Sequence, residues 1–262
     1  MIQLPQLAVL FVSASIFFFN SSAFGLSYGV HLAGRSYVRG MSAEVSAAHE
    51  SILWGKPQGS GDIYFGLVQF KAAAASHGLL KASASVFPIS FLEIRGEQSR
   101  TYRYSSPATM SCGDIQCYGP IDRRAIAVRL ALGLQNLVGF LSHSAQIVET
   151  SDSGEASFDE LENLTKVSGQ DEGEARAAFA GMKVNDLNQS VIGLAVREFE
   201  YKKAKSTNRL IGLAYHTHVT LYEYNLKISS LVGSYKSDYN PESISVALAV
   251  EYNWGDEKLS IF

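Results

Sequence analysis

The stretch IDRRAIAVRLALGLQ, Ile121 to Gln135, constrains the fold more than any other part of the chain. Ile126, Val128, Leu130, Leu132 and Leu134 take every second position, and Ala125, Ala127, Arg129, Ala131 and Gly133 lie between them. A period of two belongs to a strand, whose successive side chains point to opposite faces. A soluble strand turns its aliphatic face to a core and shows Thr, Lys, Glu or Ser to water. Here the second face is Ala, Gly and Arg. Small residues fit the inside of a sheet curved around a confined lumen, with the bulky face turned outward to lipid.

The alternation recurs along the chain. GLSYGVHLAG sets Leu26, Tyr28, Val30 and Leu32 against Ser27, Gly29, His31 and Ala33, and MSAEVSA sets Met41, Ala43 and Val45 against Ser42, Glu44 and Ser46. LLKASASVF, FLEIRGEQSRTYRY, SVIGLAVREF, RLIGLAYHTHVTLY and ISVALAVEYNW repeat it. Segments of about ten residues separated by turns, with Tyr and Trp near their ends, are the pattern of a transmembrane β-barrel and its aromatic girdles. The segment DIYFGLVQF, Asp62 to Phe70, is apolar on both faces and gives no orientation. The expected fold is all-β: a closed antiparallel up-and-down transmembrane barrel of ten or twelve strands, an even number being the rule for single-chain bacterial barrels. EKLSIF at the C-terminus is a candidate for the last strand.

Residues 1–23 read as a cleavable signal peptide. The apolar run LAVLFVSASIFFF is too short to span a bilayer, and Ser21 and Ala23 in NSSAFG supply the small side chains a signal peptidase requires, although the leader's start, MIQLPQ, carries no cation. Residues 24–262 then form one domain, with long loops at about 105–120 and 150–186 and short turns at FPIS and LQN. The second loop is acidic. Its segment SFDELENL has a capping-box pattern and DEGEARAAFAGM has high helix propensity, so one or two short surface helices are expected there. Cys112 and Cys117, with four residues between them, read as a small disulfide ring formed after export; two free thiols or half a metal site are the alternatives, and no His or further Cys lies near.

With this leader, these strands and the terminal Phe262, the chain resembles the small outer-membrane β-barrel proteins of Gram-negative bacteria. The resemblance implies residence in the outer membrane among its lipid and lipopolysaccharide, and assembly from the periplasm by the barrel-assembly machinery, with Phe262 part of the signal that machinery reads. It implies no particular activity. A monomer without cofactor is expected, and a net charge of -3 gives no reason to expect nucleic acid as a partner.

Several residues are candidates for chemistry. Glu44, Glu93, Arg95, Arg129, Arg197 and Glu251 all fall on the lumen face, where charges either pair and plug a narrow bore or line a watery path. His216 and His218 are two apart on one strand and so share a face; with His31 they are a candidate imidazole metal site, the alternative being interior polar groups bonded to neighbours or water. His143 and Ser144 invite comparison with the outer-membrane phospholipase and the lipid A deacylase, which carry a His-x-Ser pattern. Adjacent residues point opposite ways, so neither Ser144 nor Ser142 matches that geometry, and only Glu149 offers a third member. The expected role is passage of small solutes or ions, or else a structural or surface role without catalysis. A barrel-embedded lipid hydrolase and a soluble secreted β-sandwich binding protein are the alternatives.

Overall fold

The computed structural model describes residues 24–36, 40–55, 65–103, 118–150, 156–159, 165–185, 189–221, 224–238 and 242–255. Among these residues fourteen strands run in chain order: β1 (Phe24–Arg35), β2 (Gly40–Trp54), β3 (Gly66–Ala75), β4 (Leu79–Ile89), β5 (Leu92–Arg103), β6 (Gly119–Leu134), β7 (Leu137–Thr150), β8 (Ala156–Asp159), β9 (Thr165–Ser168), β10 (Gln170–Asn185), β11 (Ser190–Tyr201), β12 (Ser206–Leu221), β13 (Tyr224–Ser237) and β14 (Ser243–Gly255). Strands β8 and β9 pair only with each other; the other twelve form a closed antiparallel barrel in which β7 pairs with β10 and β14 returns to β1. Closure pairs every barrel strand on both sides and leaves the barrel no edge. Followed once round the barrel, the register advances by about 16 residues, which for twelve strands corresponds to a tilt of roughly 40° and a backbone diameter of about 25 Å.

The alternation read from Ile121 to Gln135 is the alternation of the wall. Ile126 and Leu134 are 65% and 71% exposed on the outside of β6, and Leu32, Val45, Leu194, Leu213 and Leu248 stand exposed on other strands, while the positions between them turn inward. An apolar belt running round the whole circumference is stable against lipid and not against water. That excludes the soluble sandwich and places the barrel in an outer membrane, where closed β-barrels are the spanning form for strands. Near one rim Trp254 stacks on Tyr28 across the β1–β14 seam, with ring centroids 5.8 Å apart, and on Tyr252 at 5.4 Å. Exposed Trp54 closes β2 at the same end, making an aromatic girdle.

The two ends differ. The termini, the turns Ser90–Phe91 and Gln135–Asn136, and the connections 55–65, 186–189 and 222–223 lie at one end. The longest connections, 104–118 and 151–169, lie at the other. Short turns mark the periplasmic side of such barrels and long loops the outside.

Inward glycines meet across two of the strand pairs. Gly181 lies opposite Gly193, and Gly212 opposite Gly233. A β-carbon at Gly212 would come within 2.7 Å of the Gly233 Cα, and one at Gly193 would meet the Gly181 Cα at 2.5 Å. At these two seams the backbones approach more closely than any side chain permits, which accounts for glycine on the lumen face.

The expected helices are absent from the described part of the acidic loop. DEGEARAAFAGM lies in β10, whose inward positions Gly173, Ala175, Ala177, Phe179 and Gly181 alternate with outward Glu172, Glu174, Arg176, Ala178 and Ala180. Helix propensity in this Ala- and Glu-rich segment is worth tenths of a kcal/mol per residue, and pairing with β7 and β11 outweighs it. The start of SFDELENL is in β8, paired with β9. The loop is therefore 151–169 rather than 150–186, and residues 170–185 of the expected loop are a barrel strand, β10. EKLSIF, Phe262, Cys112, Cys117 and residues 1–23 lie outside the described residues. The segment Asp62 to Phe70, which has no orientation in sequence, enters β3 with Leu67 fully buried inward and Phe70 outward.

Candidate functional site: the barrel interior

Buried polar and charged side chains outnumber buried apolar ones, seventeen to twelve among the described residues, the reverse of a soluble core. Glu93 is held from two neighbouring strands. It is 3% exposed on β5, accepts a hydrogen bond from the Ser85 hydroxyl of β4 at 2.6 Å, and receives Nη1 of Arg129 on β6 at 3.2 Å. Register explains the contacts, because Glu93 faces Arg129 directly across the β5–β6 pair. Two residues along β5, Arg95 bonds Glu97 at 2.7 Å. Glu44 on β2 meets Lys81 on β4 at 3.4 Å, across the intervening β3. Asn253 donates to Glu251 at 2.6 Å, and Gln69 to Glu50 at 2.7 Å. Arg197 faces inward on β11.

The histidines divide. His31 lies between Glu44 of β2 and Glu251 of β14 in register, in a lateral row that continues to Lys227 and His218. His216 and His218 form an edge-to-face pair with centroids 5.1 Å apart, and Nδ1 of His216 is 2.8 Å from the Ser229 hydroxyl. Among the described residues no group of three His, Cys, Asp or Glu is brought into a metal-holding arrangement. His216 is thus held by hydroxyl and ring neighbours.

His143 and Ser144 sit on opposite faces of β7. His143 is outward, across from Arg176 of β10 and Val128 of β6 in an open groove on the lipid-facing side, whereas Ser144 is inward beside Ala127 and Ala175. A general base on the far side of the sheet does not reach that hydroxyl.

Among the described residues, two apolar clusters bound the polar interior. At the short-turn end Phe65, Leu67 and Phe87 pack together. At the long-loop end Ile121, Val148, Phe199 and Tyr201 bury Val167 of β9, and the Phe199 and Tyr201 rings meet edge-to-face at 4.7 Å. Since these wall residues all point inward, the β8–β9 hairpin reaches into the mouth instead of standing off the barrel. Asp171, 2% exposed, braces the same rim by accepting hydrogen bonds from the backbone N–H groups of Lys203 and Ala204 at 2.8 and 2.9 Å. Lys202 in that turn lies 2.8 Å from Glu174, whose hydrogen bond and charge raise its pKa. In the turn after β3, burial holds the His77 imidazole below its ordinary pKa.

Lys71, Lys81, Glu50, Glu97, Arg103 and Arg123 also face the interior but do not stand out as site candidates in sequence. All but Glu50 and Lys71 lie in readable alternating segments, so the signal was present. Lys71 follows the segment with two apolar faces, and its side is settled only once Leu67 is seen to turn inward.

No protein-family model matches the chain. No curated protein matches it. Among solved structures the barrel is similar to an outer-membrane channel from Pseudomonas putida F1, at 7% identity over 91% of this chain and 98% of that one, with a TM-score of 0.47. It is also similar to the β domain of the Bordetella autotransporter BrkA, at 11% identity over 89% of this chain and 99% of that one, TM-score 0.40. A third is the KdgM porin, solved in complex with disordered oligogalacturonate, at 9% identity over 86% and 98%, TM-score 0.37. The likeness is one of general barrel shape. Closure, twelve strands and an apolar exterior are what make this chain an outer-membrane β-barrel.

Proposed function

We propose that the barrel is a narrow passage for small solutes rather than an enzyme. The observation that carries this is the makeup of the inner wall. A backbone cylinder of about 25 Å is too wide for Ala, Gly and Ser to fill, and much of the wall from β10 round to β2 is of that kind: Ala177 and Gly181, Gly193 and Ala195, Gly212 and Ala214, Ser229 and Gly233, Ala247 and Ala249, Ser27 and Gly29, Ser46 and Ala48. Charged pairs on the facing wall are solvated most cheaply by water in the space so left. The apolar clusters at the two ends narrow this path, and the hairpin at the long-loop mouth decides how wide it is. The test is single-channel recording of the purified, folded chain in planar bilayers. Discrete current steps are expected; folded barrels that insert and pass no current overturn the proposal and favour a structural or surface role.

A further inference from the structure

Charge inside the barrel is segregated. Strands β3 to β6 carry six inward cations, Lys71, Lys81, Arg95, Arg103, Arg123 and Arg129, against two inward carboxylates, Glu93 and Glu97. Among the described residues of the other barrel strands, four inward cations (Arg35, Lys183, Arg197, Lys227) face four carboxylates (Glu44, Glu50, Asp171, Glu251). The six do not cluster at one level. Arg103 is at the long-loop rim, where its guanidinium donates to the carbonyls of Tyr118 and Gly119 at 2.8 and 3.0 Å. Arg123 and Lys81 come next, Lys71 lies midway, and Arg95 and Arg129 stand toward the short-turn end.

We propose that this wall is a track for small oxyanions, carboxylates or phosphates, which pass from one cation to the next along β3 to β6. The inference rests on the passage reading and adds the solute class to it. Two observations beyond the charge count point to a ligand. The Nε atoms of Arg95 and Arg129 are buried and have no hydrogen-bond partner, although each guanidinium already uses one Nη on a carboxylate. A planar guanidinium held by one edge offers its remaining donors to a two-oxygen acceptor. The hydroxyls of Ser83, Ser99 and Thr101 also lie on the inward face between the cations, where they can donate to an anion as it moves. Cations spaced along a wall, three of them (Lys81, Arg95 and Arg129) partly neutralised by a fixed carboxylate, hold an anion weakly enough to release it to the next site, as conduction requires.

The test is the reversal potential in planar bilayers under a tenfold KCl gradient, followed by block of the chloride current with inorganic phosphate. The native barrel is expected to prefer chloride to potassium and to be blocked by millimolar phosphate. Lys71→Glu is expected to lower the chloride-to-potassium ratio by about threefold or more. Lys71→Gln, the milder change if the reversal hinders folding, should fall between. Current with no ion preference, or a preference unmoved in both variants, overturns the anion track while leaving the passage standing. Absence of current in folded barrels overturns the passage, and the track with it.

Discussion

Arg129 and Glu93 face each other across the β5–β6 pair, with Nη1 of the guanidinium 3.2 Å from a carboxylate that is 3% exposed. Removing one partner from so buried a pair leaves the other uncompensated, and the loss is larger than the pair's own net contribution. Glu93→Ala is therefore expected to lower stability by roughly 1–3 kcal/mol, the lower part of the usual range because Arg129 retains access to the bore. The measurement is urea unfolding in detergent micelles. Adding Arg129→Gln to Glu93→Ala should restore part of the loss, and a double variant as unstable as the sum of the singles would contradict the pairing.

The glycine seams give a second expectation. Gly212→Val drives a side chain into the Gly233 backbone, and a cost of about 2–3 kcal/mol or failure to assemble is expected. Gly96, outward on β5 with no atom within 4 Å of a built β-carbon, is the control, and Gly96→Val should fold normally. Equal effects at the two sites would remove the argument that inward glycine reflects backbone approach.

Leu194 is outward and 60% exposed in the middle of β11. Leu194→Arg on the lipid face should cost about 2–4 kcal/mol at mid-membrane depth. Folding yield into lipid vesicles reads this, and an undiminished yield would mean that β11 does not face lipid.

Val167 is the buried residue by which the β8–β9 hairpin joins the mouth cluster. Val167→Ala should lower the stability of that cluster by about 1–3 kcal/mol and raise the unit conductance by loosening the hairpin. Conductance is read in planar bilayers, and an unchanged value would show that the hairpin does not narrow the path.

Most of the wall was legible in sequence, for a physical reason. A strand that meets lipid on one side and a crowded lumen on the other has a period of two with no exceptions to hide it, as in Ile126 to Leu134 or Ile244 to Trp254. β10 was hidden because its outward face near the long-loop rim leaves the lipid and carries Glu172, Glu174 and Arg176, so that both faces look soluble there and Ala-rich composition imitates a helix. The interior charges followed from the same alternation, but their grouping did not. Which cations share a wall depends on strand order and register round the cylinder, and the Glu44–Lys81 contact spans a strand that sequence left without an orientation.

The measurement that bears most directly on the account joins the first barrel strand to the last. Ala33 of β1 lies opposite Ala249 of β14, and both face inward. In membranes holding a chain with Cys112→Ser and Cys117→Ser, the pair Ala33→Cys and Ala249→Cys should form a disulfide under mild oxidation. The pair Ala33→Cys and Leu248→Cys, one residue out of register and on the opposite face, should not. Cross-linking of the first pair alone supports a closed twelve-strand barrel with this register. No cross-link in either, or equal cross-linking in both, would contradict it.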